Sequence, residues 1–416
     1  MHIHILGICG TFMTALAGLA VSKGYKVSGQ DKNYFPPMSS KIEELNIIPN
    51  KTVGVIDDIN NCDLVIVGNS QSRGDPSVEH ILENNIKYIS GPEWLKKNIL
   101  ADKFVIAVSG THGKTTLSSM LVKILNDADY EPGYLIGGIE LENNSCFKYT
   151  DSKYFIIEAD EYDTAFFDKR SKFVHFDPDI LIINNIEFDH ADIFSDIESI
   201  KFQFHSLIRT MPNNSTIIYN PADREIDDVL NKGCWSKKKP FTINKDINLS
   251  ILGKHNLDNA SAAYCVSKEI NIKEDIIYKA IKNFKGVKRR LEVIKEQDYI
   301  VIDDFAHHPS AIKSGISSIK NSYKGKHIKC IFEIRSNSMI AGAHKDNFIE
   351  SFKGVDDLYL VCSRNIDWLD KDLEKNFYTN IEDVLNKITI DLTSNDLIVL
   401  MTNGDSSIFR KKFQDI

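Results

Sequence analysis

No apolar stretch of the sequence is long enough to span a bilayer, and no basic segment precedes the short apolar run at residues 3–6. The seven cysteines include no Cys-x-x-Cys pair, so neither a zinc site nor a disulfide framework is predicted. Basic residues are not in excess: the formal net charge is −8, which argues against a nucleic-acid or anionic-membrane partner. We therefore expect a cytoplasmic protein with reduced thiols.

What is present is the composition of a globular protein, with 42% hydrophobic and 26% charged residues. A chain of 416 residues exceeds the size of one ordinary hydrophobic core, so two or three domains are expected. Short apolar strands followed by helical patterns recur along the chain, which predicts an α/β fold.

A glycine-bearing turn lies between a predicted strand, 104–108, and a predicted helix that begins at Thr116. Residues 109–116 read SGTHGKTT. Such a turn suits phosphate, because glycine lets backbone N–H groups point inward and the helix N-terminus adds partial positive charge. Lys114 would reach the outer phosphates of a nucleotide, and the Thr115 hydroxyl would hold Mg²⁺.

The spacing of this turn departs from the general phosphate loop in one respect. Val108 stands where the first glycine is due, and Gly110 lies three residues before Gly113. An ordinary strand–turn–helix corner is the alternative, but such a corner rarely needs Gly-Lys-Thr-Thr in that order. We therefore predict a nucleotide site.

The N-terminus has the order of half a Rossmann unit: a strand at 2–6, a loop at 7–13, a helix, and a strand that leads to Asp31. Asp31 is placed to meet a ribose. The glycine fingerprint is incomplete, because Cys9 and Phe12 replace its second and third glycines. Any βαβ unit would also fit, but the helix N-terminus stays open to a diphosphate.

Acidic side chains follow two more predicted strands, 154–157 and 180–184. Strand alternation places Glu158 and Asp160 on one face, and the segment 185–192 (NIEFDHAD) adds three acids and a histidine. Ligands bind at the carboxyl ends of strands in open α/β sheets, so these groups together predict a Mg²⁺ site. Taken singly, each acid is more simply a helix cap or a loop charge.

Polar loops also follow three strands predicted near the C-terminus, at 299–302, 329–334 and 397–401. We expect these loops to share one face of a third α/β domain, after a hinge at 285–290. Arg335 follows the second strand, and its guanidinium suits a carboxylate. A surface arginine on a polar turn is the alternative.

Before that hinge, His255, Asn256 and Asn259 share one surface of a predicted helix. Asparagine amides can read an adenine edge, although an N-terminal helix cap would explain them as well.

Five motifs occur in the order of the Mur ligases, and the chain resembles this family over nearly its whole length: 110–116, 158–161, 185–190, His255-Asn256 with Asn259, and 304–309. The resemblance implies three domains: a Rossmann-like UDP-sugar-binding domain at 1–101, a central ATP-binding domain at 102–287 and a Rossmann-like peptide-binding domain at 288–416. It also implies ATP-dependent amide-bond formation in peptidoglycan synthesis, with ATP and Mg²⁺ as cofactors.

The resemblance also assigns residues to sites. The catalytic residues it implies are Lys114, Glu158 and His190, and the metal ligands are Thr115, Glu158 and His190. The ATP-binding residues it implies are Gly110, Thr111, His112, Gly113, Lys114, Thr115, Thr116, Asn256, Asn259, Arg290 and Asp304. The UDP-sugar-binding residues are Gly7, Cys9, Gly10, Thr11 and Asp31, and the peptide-binding residues are Arg335, Ser336 and Asn337.

A finer match, at 7–13, 166–173 and 335–339, is to the branch of the family that joins UDP-N-acetylmuramate to the tripeptide L-Ala-γ-D-Glu-meso-diaminopimelate in peptidoglycan recycling. Two alternatives stay open: L-alanine as the acceptor, and a non-catalytic nucleotide-binding regulator. The non-catalytic regulator fits less well, because Lys114, Thr115, Glu158 and His190 all occur together.

Some Mur ligases carry a carbamoylated lysine downstream of the histidine that matches His190. The usual interval reaches His205 here, and we expect Lys201 to be a helix surface residue. The resemblance implies UDP-N-acetylmuramate and the peptide as substrates. We expect no nucleic-acid or membrane partner, and a monomer.

Overall fold

The computed structural model describes residues 1–34, 38–51, 54, 57–139, 141–142, 145–188, 193–253, 255–369 and 376–414. The chain divides into two compact units. The first unit comprises Met1–Glu187, Ile197–Asn244 and Asn259–Ile281, and the second comprises Phe188–Asp196, Lys245–Asp258 and Lys282–Ile416. Among the described residues, no helix combines the length and the apolar character needed to cross a membrane.

The first sheet of the first unit is entirely parallel. Its strands are β1 (His2–Leu6), β2 (Lys26–Gln30), β3 (Leu64–Val67) and β4 (Tyr88–Ser90), in the order β2-β1-β3-β4. Its helices are α1 (Thr11–Ser22), α2 (Met38–Glu44), α3 (Asp57–Asn61), α4 (Pro76–Glu83) and α5 (Gly91–Leu95), which continues into a π-helical turn, Lys96–Leu100. Strand β1 is covered on both faces, because Ile3, His4, Ile5 and Leu6 are all fully buried.

The second sheet of this unit has seven strands. They are β5 (Phe104–Ser109), β6 (Gly133–Leu135), β7 (Phe147–Lys148), β8 (Tyr154–Glu158), β11 (Ile180–Ile183), β12 (Thr216–Tyr219) and β13 (Lys237–Pro240). Their order is β13-β12-β11-β5-β8-β6-β7, and only β7 runs antiparallel to its neighbour. Strand β5 therefore lies between β8 and β11, which brings the loops after these three strands to one edge.

A hairpin and further helices lie between residues 114 and 283 of the chain. A small antiparallel hairpin consists of β9 (Asp163–Ala165) and β10 (Asp168–Ser171), followed by a 3₁₀ turn, Lys172–His175. The helices are α6 (Lys114–Asp127), α7 (Ile197–Ile208), α8 (Arg224–Asn231), α9 (His255–Glu269) and α10 (Glu274–Asn283).

The second unit contains a six-stranded sheet. Its strands are β14 (Glu292–Glu296), β15 (Ile300–Asp304), β16 (His327–Glu333), β17 (Asp357–Val361), β18 (Phe377–Tyr378) and β19 (Asp396–Met401), in the order β14-β15-β19-β16-β17-β18. Only β14 is antiparallel. Its helices are α11 (Pro309–Ser322), α12 (Asn337–Ile340), α13 (Lys345–Phe348), α14 (Ile381–Ile388) and α15 (Ser407–Gln414), and a 3₁₀ turn, Ile349–Phe352, follows α13.

This sheet has a hydrophobic core on each face. Ile300 and Ile302 of β15 pack into one core, whereas Val301 packs into the other. The predicted loop at 303–304 is wrong, because both aspartates continue β15 and Asp304 pairs with Met401 of β19. Their charges are accommodated within the unit: the carboxylate of Asp303 accepts a hydrogen bond from Arg410 Nε at 2.7 Å.

Lys201 is not the helix surface residue that the sequence predicted. Its side chain is buried, and its ammonium lies 2.7 Å from Glu225, 2.8 Å from Asp228 and 2.8 Å from Glu198. The acids come from α7 and α8, which pack against each other. Opposite charges on adjacent helices therefore draw this lysine inward, an arrangement that the pattern of α7 alone does not reveal.

The seven cysteines are all free thiols in the structure. Burial raises the pKa of Cys330, Cys146 and Cys62, which favours the unreactive protonated form.

Asp304 closes β15 and is only 5% exposed. Burial raises the pKa of its carboxyl group to about 6, although Arg290 and the N–H of Leu291 act in the opposite direction. The folded state therefore binds this proton more tightly than the unfolded chain does. The resulting stabilisation is complete below the ordinary pKa of 3.8 and is lost as the pH rises through about 6.

We expect the free energy of unfolding of Asp304→Asn to increase relative to that of the parent protein as the pH rises from about 4 to about 6. The increase should be about 3 kcal/mol at most. The reason is that the amide cannot ionise. Chemical denaturation of both proteins across this pH range measures the difference. Asp298→Asn, in the turn of the same hairpin, controls for the removal of a carboxyl group, and a stability difference that stays constant with pH would contradict the expectation.

Candidate active site

The turn between β5 and α6 has the backbone of a phosphate-binding loop. Gly110 and Gly113 have φ angles of +135° and +83°, which residues with a Cβ rarely adopt. A Cβ on Gly113 would also lie 2.6 Å from Oδ1 of Asn259. The predicted strand is confirmed, and the helix begins at Lys114, two residues earlier than predicted. The predicted nucleotide contacts therefore lie at a helix N-terminus, which favours anions.

Two asparagines that follow β11 hold this loop in place. Asn185 Oδ1 accepts a hydrogen bond from the N–H of His112 at 2.7 Å, and Asn185 Nδ2 donates to the carbonyl of His112 at 3.0 Å. The carbonyl of Asn185 accepts from the N–H of Thr111 at 3.1 Å. Asn184 Nδ2 donates to Oδ1 of Asn259 at 2.9 Å. Asn184 was not among the predicted site residues, and only the adjacency of β11 and β5 identifies it.

Asn259, which the sequence predicted as an adenine contact, lies beside the phosphate loop. Its side chain is 1% exposed and lies against Gly113. Asn259 is therefore in position to support the loop.

Lys114 is buried in a cluster of acids. Its ammonium donates to the carbonyl of Gly110 at 2.7 Å and to Glu161 Oε2 at 2.9 Å, and Asp160 Oδ1 lies 3.9 Å away. Burial alone would lower the pKa of Lys114, but Glu161, Asp160 and Glu158 outweigh it and raise this pKa above its ordinary value. The ammonium is therefore charged at neutral pH and can neutralise phosphate.

Glu161 lies beside Lys114 but was not among the site residues predicted from the sequence. It is 2% exposed and forms the closest ion pair with Lys114. The motif at 158–161 contained it, but its role depends on the approach of β8 to α6.

Thr115 and Glu158 are the two predicted metal ligands that lie within the described residues. Thr115 Oγ1 donates to Glu158 Oε1 at 3.2 Å, and Glu158 Oε2 accepts from the N–H of Gly137 at 2.6 Å. A hydroxyl and a carboxylate at this spacing fit Mg²⁺, which prefers oxygen ligands. His190, the third predicted ligand and a predicted catalytic residue, lies outside the described residues. Thr116 is buried one position along α6.

The first loop of the chain lies at the carboxyl end of β1. Gly7 has a φ of +75°, and its N–H donates to the carbonyl of Gln30 at 2.9 Å. The N–H of Cys9 donates to Asp31 Oδ2 at 2.9 Å. Burial raises the pKa of the Cys9 thiol to about 11, with a further contribution from Asp31. Asp31 therefore fixes the loop from the end of the neighbouring strand.

Gly10 and Thr11 mark the start of α1. Gly10 is the N-cap residue with an extended backbone, and Thr11 is the first helical residue; both are exposed. The predicted open helix N-terminus is confirmed.

Three predicted ATP-binding residues lie in the second unit. Asn256 Nδ2 donates to the carbonyl of Leu252 at 2.5 Å. The guanidinium of Arg290 lies 5.0 Å from the centre of the Phe305 ring, within the range of a cation–π contact. Asp304 is the buried carboxyl group at the end of β15. Arg290 is the exposed member of this set.

The loop after β16 carries the predicted peptide-binding residues. Arg335 is exposed, and its Nη1 lies 3.3 Å from Glu333 Oε1. Ser336 Oγ accepts from the N–H of Met339 at 3.3 Å, and Asn337 is the first residue of α12. Glu333 also accepts a hydrogen bond from Thr402, in the loop after β19. The predicted grouping of loops at the carboxyl edge is confirmed for β16 and β19.

Three domain families match the chain. They are the Mur ligase family catalytic domain over residues 2–103, the Mur ligase middle domain over residues 108–241, and the Mur ligase glutamate ligase domain over residues 289–404. Each of the three matches overlaps one of the three large sheets.

Curated relatives match over the whole chain. A UDP-N-acetylmuramate–L-alanyl-γ-D-glutamyl-meso-2,6-diaminoheptandioate ligase from Haemophilus influenzae is 39% identical, with 100% of this chain and 98% of the relative covered. A UDP-N-acetylmuramate–L-alanine ligase from Clostridium tetani is 31% identical, with 97% and 95% covered.

A solved structure agrees with these matches. The crystal structure of a murein peptide ligase from Psychrobacter arcticus is 34% identical, with a TM-score of 0.75, and covers 100% of this chain and 98% of that chain. The phosphate loop, the acids around it and the full-length similarity all indicate the same family. The chain belongs to the Mur ligase family.

Proposed function

We propose that this chain is an ATP-dependent ligase that joins the lactyl carboxylate of UDP-N-acetylmuramate to the amino group of L-Ala-γ-D-Glu-meso-diaminopimelate, in peptidoglycan recycling. The observation that carries the proposal is the 39% identity, over the whole chain, with the ligase of that specificity from Haemophilus influenzae. The alternative with L-alanine as the acceptor has the weaker support, at 31% identity. The buried Lys114 in its phosphate loop argues for turnover against a purely regulatory role.

A carboxylate and an amine do not condense readily in water, so ATP first converts the carboxylate to an acyl phosphate, which the amine then attacks. The negative charge on the transferred phosphoryl group must be neutralised. Lys114 supplies a cation that its acidic neighbours keep protonated. The backbone N–H groups at the start of α6 face the same charge.

ATP and a divalent metal ion are the cofactors of this chemistry. We propose that the ion is Mg²⁺, held by Thr115 and Glu158, with His190 as a further ligand. When bound, Mg²⁺ supplies positive charge that lets the phosphate and the carboxylate approach each other. The proposal also retains the phosphate loop at 110–116, together with Asn256, Asn259, Arg290 and Asp304, as ATP-binding residues.

The first loop, with Gly7, Cys9, Gly10, Thr11 and Asp31, is our proposed site for the UDP-sugar. Its support is the exposed N-terminus of α1, where a diphosphate would meet backbone N–H groups. We propose domain limits of 1–101, 102–287 and 288–416 for the UDP-sugar, ATP and peptide domains. We further propose that the enzyme is cytoplasmic and monomeric, with no nucleic-acid or membrane partner.

The phosphate loop can be tested without leaving a buried charge unpaired. Lys114→Met alone would remove the cation that pairs with the buried Glu161, so we combine it with Glu161→Gln. The double variant should lose roughly a hundredfold or more in turnover, because an electrostatic contact to the transferred phosphate is absent. Phosphate release with both substrates saturating measures the loss.

Lys123→Met is the matched control for this variant. Lys123 lies on the same helix and pairs with Asp127 and Glu142 away from the loop. It should retain parental turnover, and UDP-sugar binding should survive in both variants. Near-parental turnover of the double variant would exclude Lys114 from the mechanism.

Arg335 is our proposed contact for the acceptor. It lies at the carboxyl end of β16, and the tripeptide carries several carboxylates where L-alanine carries one. Arg335→Ala should raise the apparent KM for the tripeptide about tenfold or more, while the KM values for ATP and UDP-N-acetylmuramate hardly change. Initial rates with each substrate varied in turn measure these constants.

Lys326→Ala is the control for the acceptor test, because Lys326 precedes the same strand at the opposite edge and donates to Ser394. It should leave all three KM values unchanged. The parent enzyme should use L-alanine poorly. Efficient ligation of L-alanine with no use of the tripeptide would assign the chain to the alanine-adding branch.

A further inference from the structure

Lys172 is a buried cation that the mechanism above does not use. It follows β10 and is 8% exposed. Its backbone N–H donates to the carbonyl of Tyr162 at 2.9 Å, which fixes the start of the side chain. Its ammonium lies 3.4 Å from Asp160 Oδ2 and faces the rings of Tyr162 and Phe12, at 5.4 and 5.6 Å from their centres.

These neighbours place the ammonium between the loop that precedes α1 and the phosphate loop that precedes α6. Phe12 is in the first turn of α1, directly after the proposed UDP-sugar loop. Asp160 lies between two cations, 3.4 Å from Lys172 and 3.9 Å from Lys114. Lys172 therefore lies between the loop for the sugar nucleotide and the loop for ATP.

The fold holds this position firmly. Phe166, at the tip of the β9–β10 hairpin, packs against the core of the first sheet and stacks on Tyr88 of β4. At the other end of the hairpin, the hydroxyl of Ser171 donates to the carbonyl of Glu161. The hairpin thus connects the first sheet to the phosphate-loop acids. Lys172 directly follows its second strand, so its position is fixed by the same contacts.

The ion pair of Lys172 is one that a substrate can replace. Among the described residues its carboxylate partner is Asp160, at 3.4 Å, beyond the usual length of a charge-assisted hydrogen bond. Aromatic faces stabilise a cation without neutralising it. A poorly hydrated ammonium with a long, shared ion pair gains free energy when a second carboxylate approaches it.

We propose that Lys172 binds the carboxylate of the sugar-acid substrate and holds it between the two loops. This inference rests on the proposed ligase function. One carboxylate oxygen forms a bond to the γ-phosphorus while the bond to the bridging oxygen of ADP breaks, and ADP leaves with the electron pair. The other carboxylate oxygen continues to accept a hydrogen bond from the ammonium of Lys172. No proton is transferred from this ammonium in the step.

Ligand binding without ATP tests this assignment directly. UDP-N-acetylglucosamine has a free hydroxyl group where UDP-N-acetylmuramate carries its lactyl ether, so it lacks the carboxylate, and the two nucleotides share the rest of the molecule. We expect Lys172→Met to weaken binding of UDP-N-acetylmuramate about tenfold or more while binding of UDP-N-acetylglucosamine changes less than about twofold. Isothermal titration calorimetry of each variant with both nucleotides gives the ratio.

Lys169→Met is the matched control. Lys169 lies in the same hairpin, but its side chain is 70% exposed and pairs with Asp163. It should bind both nucleotides as the parent does. Lys172→Arg keeps the charge and should restore part of the preference for the carboxylate.

The partial reaction provides a second readout. Oxygen exchange between the bridging and non-bridging positions of ATP, with UDP-N-acetylmuramate present and peptide absent, reports formation of the acyl phosphate. Lys172→Met should slow this exchange about tenfold or more, and the KM for ATP should not change. A lysine with only a structural role would leave the exchange rate at the parental value in a folded variant.

Asp160→Asn keeps the proposal testable if Lys172→Met fails to fold. Neutralising Asp160 removes the internal competitor, so the preference for UDP-N-acetylmuramate over UDP-N-acetylglucosamine should increase. An unchanged preference in Lys172→Met, or a reduced one in Asp160→Asn, would overturn the proposal. A parent enzyme that binds UDP-N-acetylmuramate but does not ligate the tripeptide would refute the proposed function instead.

Discussion

The ion pair between Lys114 and Glu161 is the interaction on which the central site depends. A buried ammonium is costly unless acids surround it, and here Glu161 and Asp160 lie within 4 Å. The acids keep the lysine charged at the point where a nucleotide phosphate would bind. They also constrain β8, because the segment that follows this strand must reach back to the first turn of α6.

The order of strands in the second sheet brings the required groups to this ion pair. Strand β5 lies between β8 and β11, so the phosphate loop has the acids on one side and Asn184 and Asn185 on the other. The asparagines hold the loop by its backbone and the acids hold it by its lysine. A rigid loop of this kind loses little entropy when it binds phosphate.

The β9–β10 hairpin has a different role, because it joins the central acids to the first sheet. The sequence identified residues 166–173 only as a feature that matches one branch of the family. In the structure Phe166 lies against the first sheet, and Lys172 points to the start of α1. The segment that carried this match thus connects the two predicted ligand loops.

By itself the sequence determined the α/β class, the two glycine loops and the motif that places Lys114 and Thr115 at a helix start. Each of these follows from local spacing, and local spacing decides backbone conformation. Glu161, Asn184 and the buried positions of Lys172 and Lys201 were decided only by tertiary structure. Their roles depend on which strands and helices become neighbours, and charged side chains enter the interior only where such neighbours supply opposite charge.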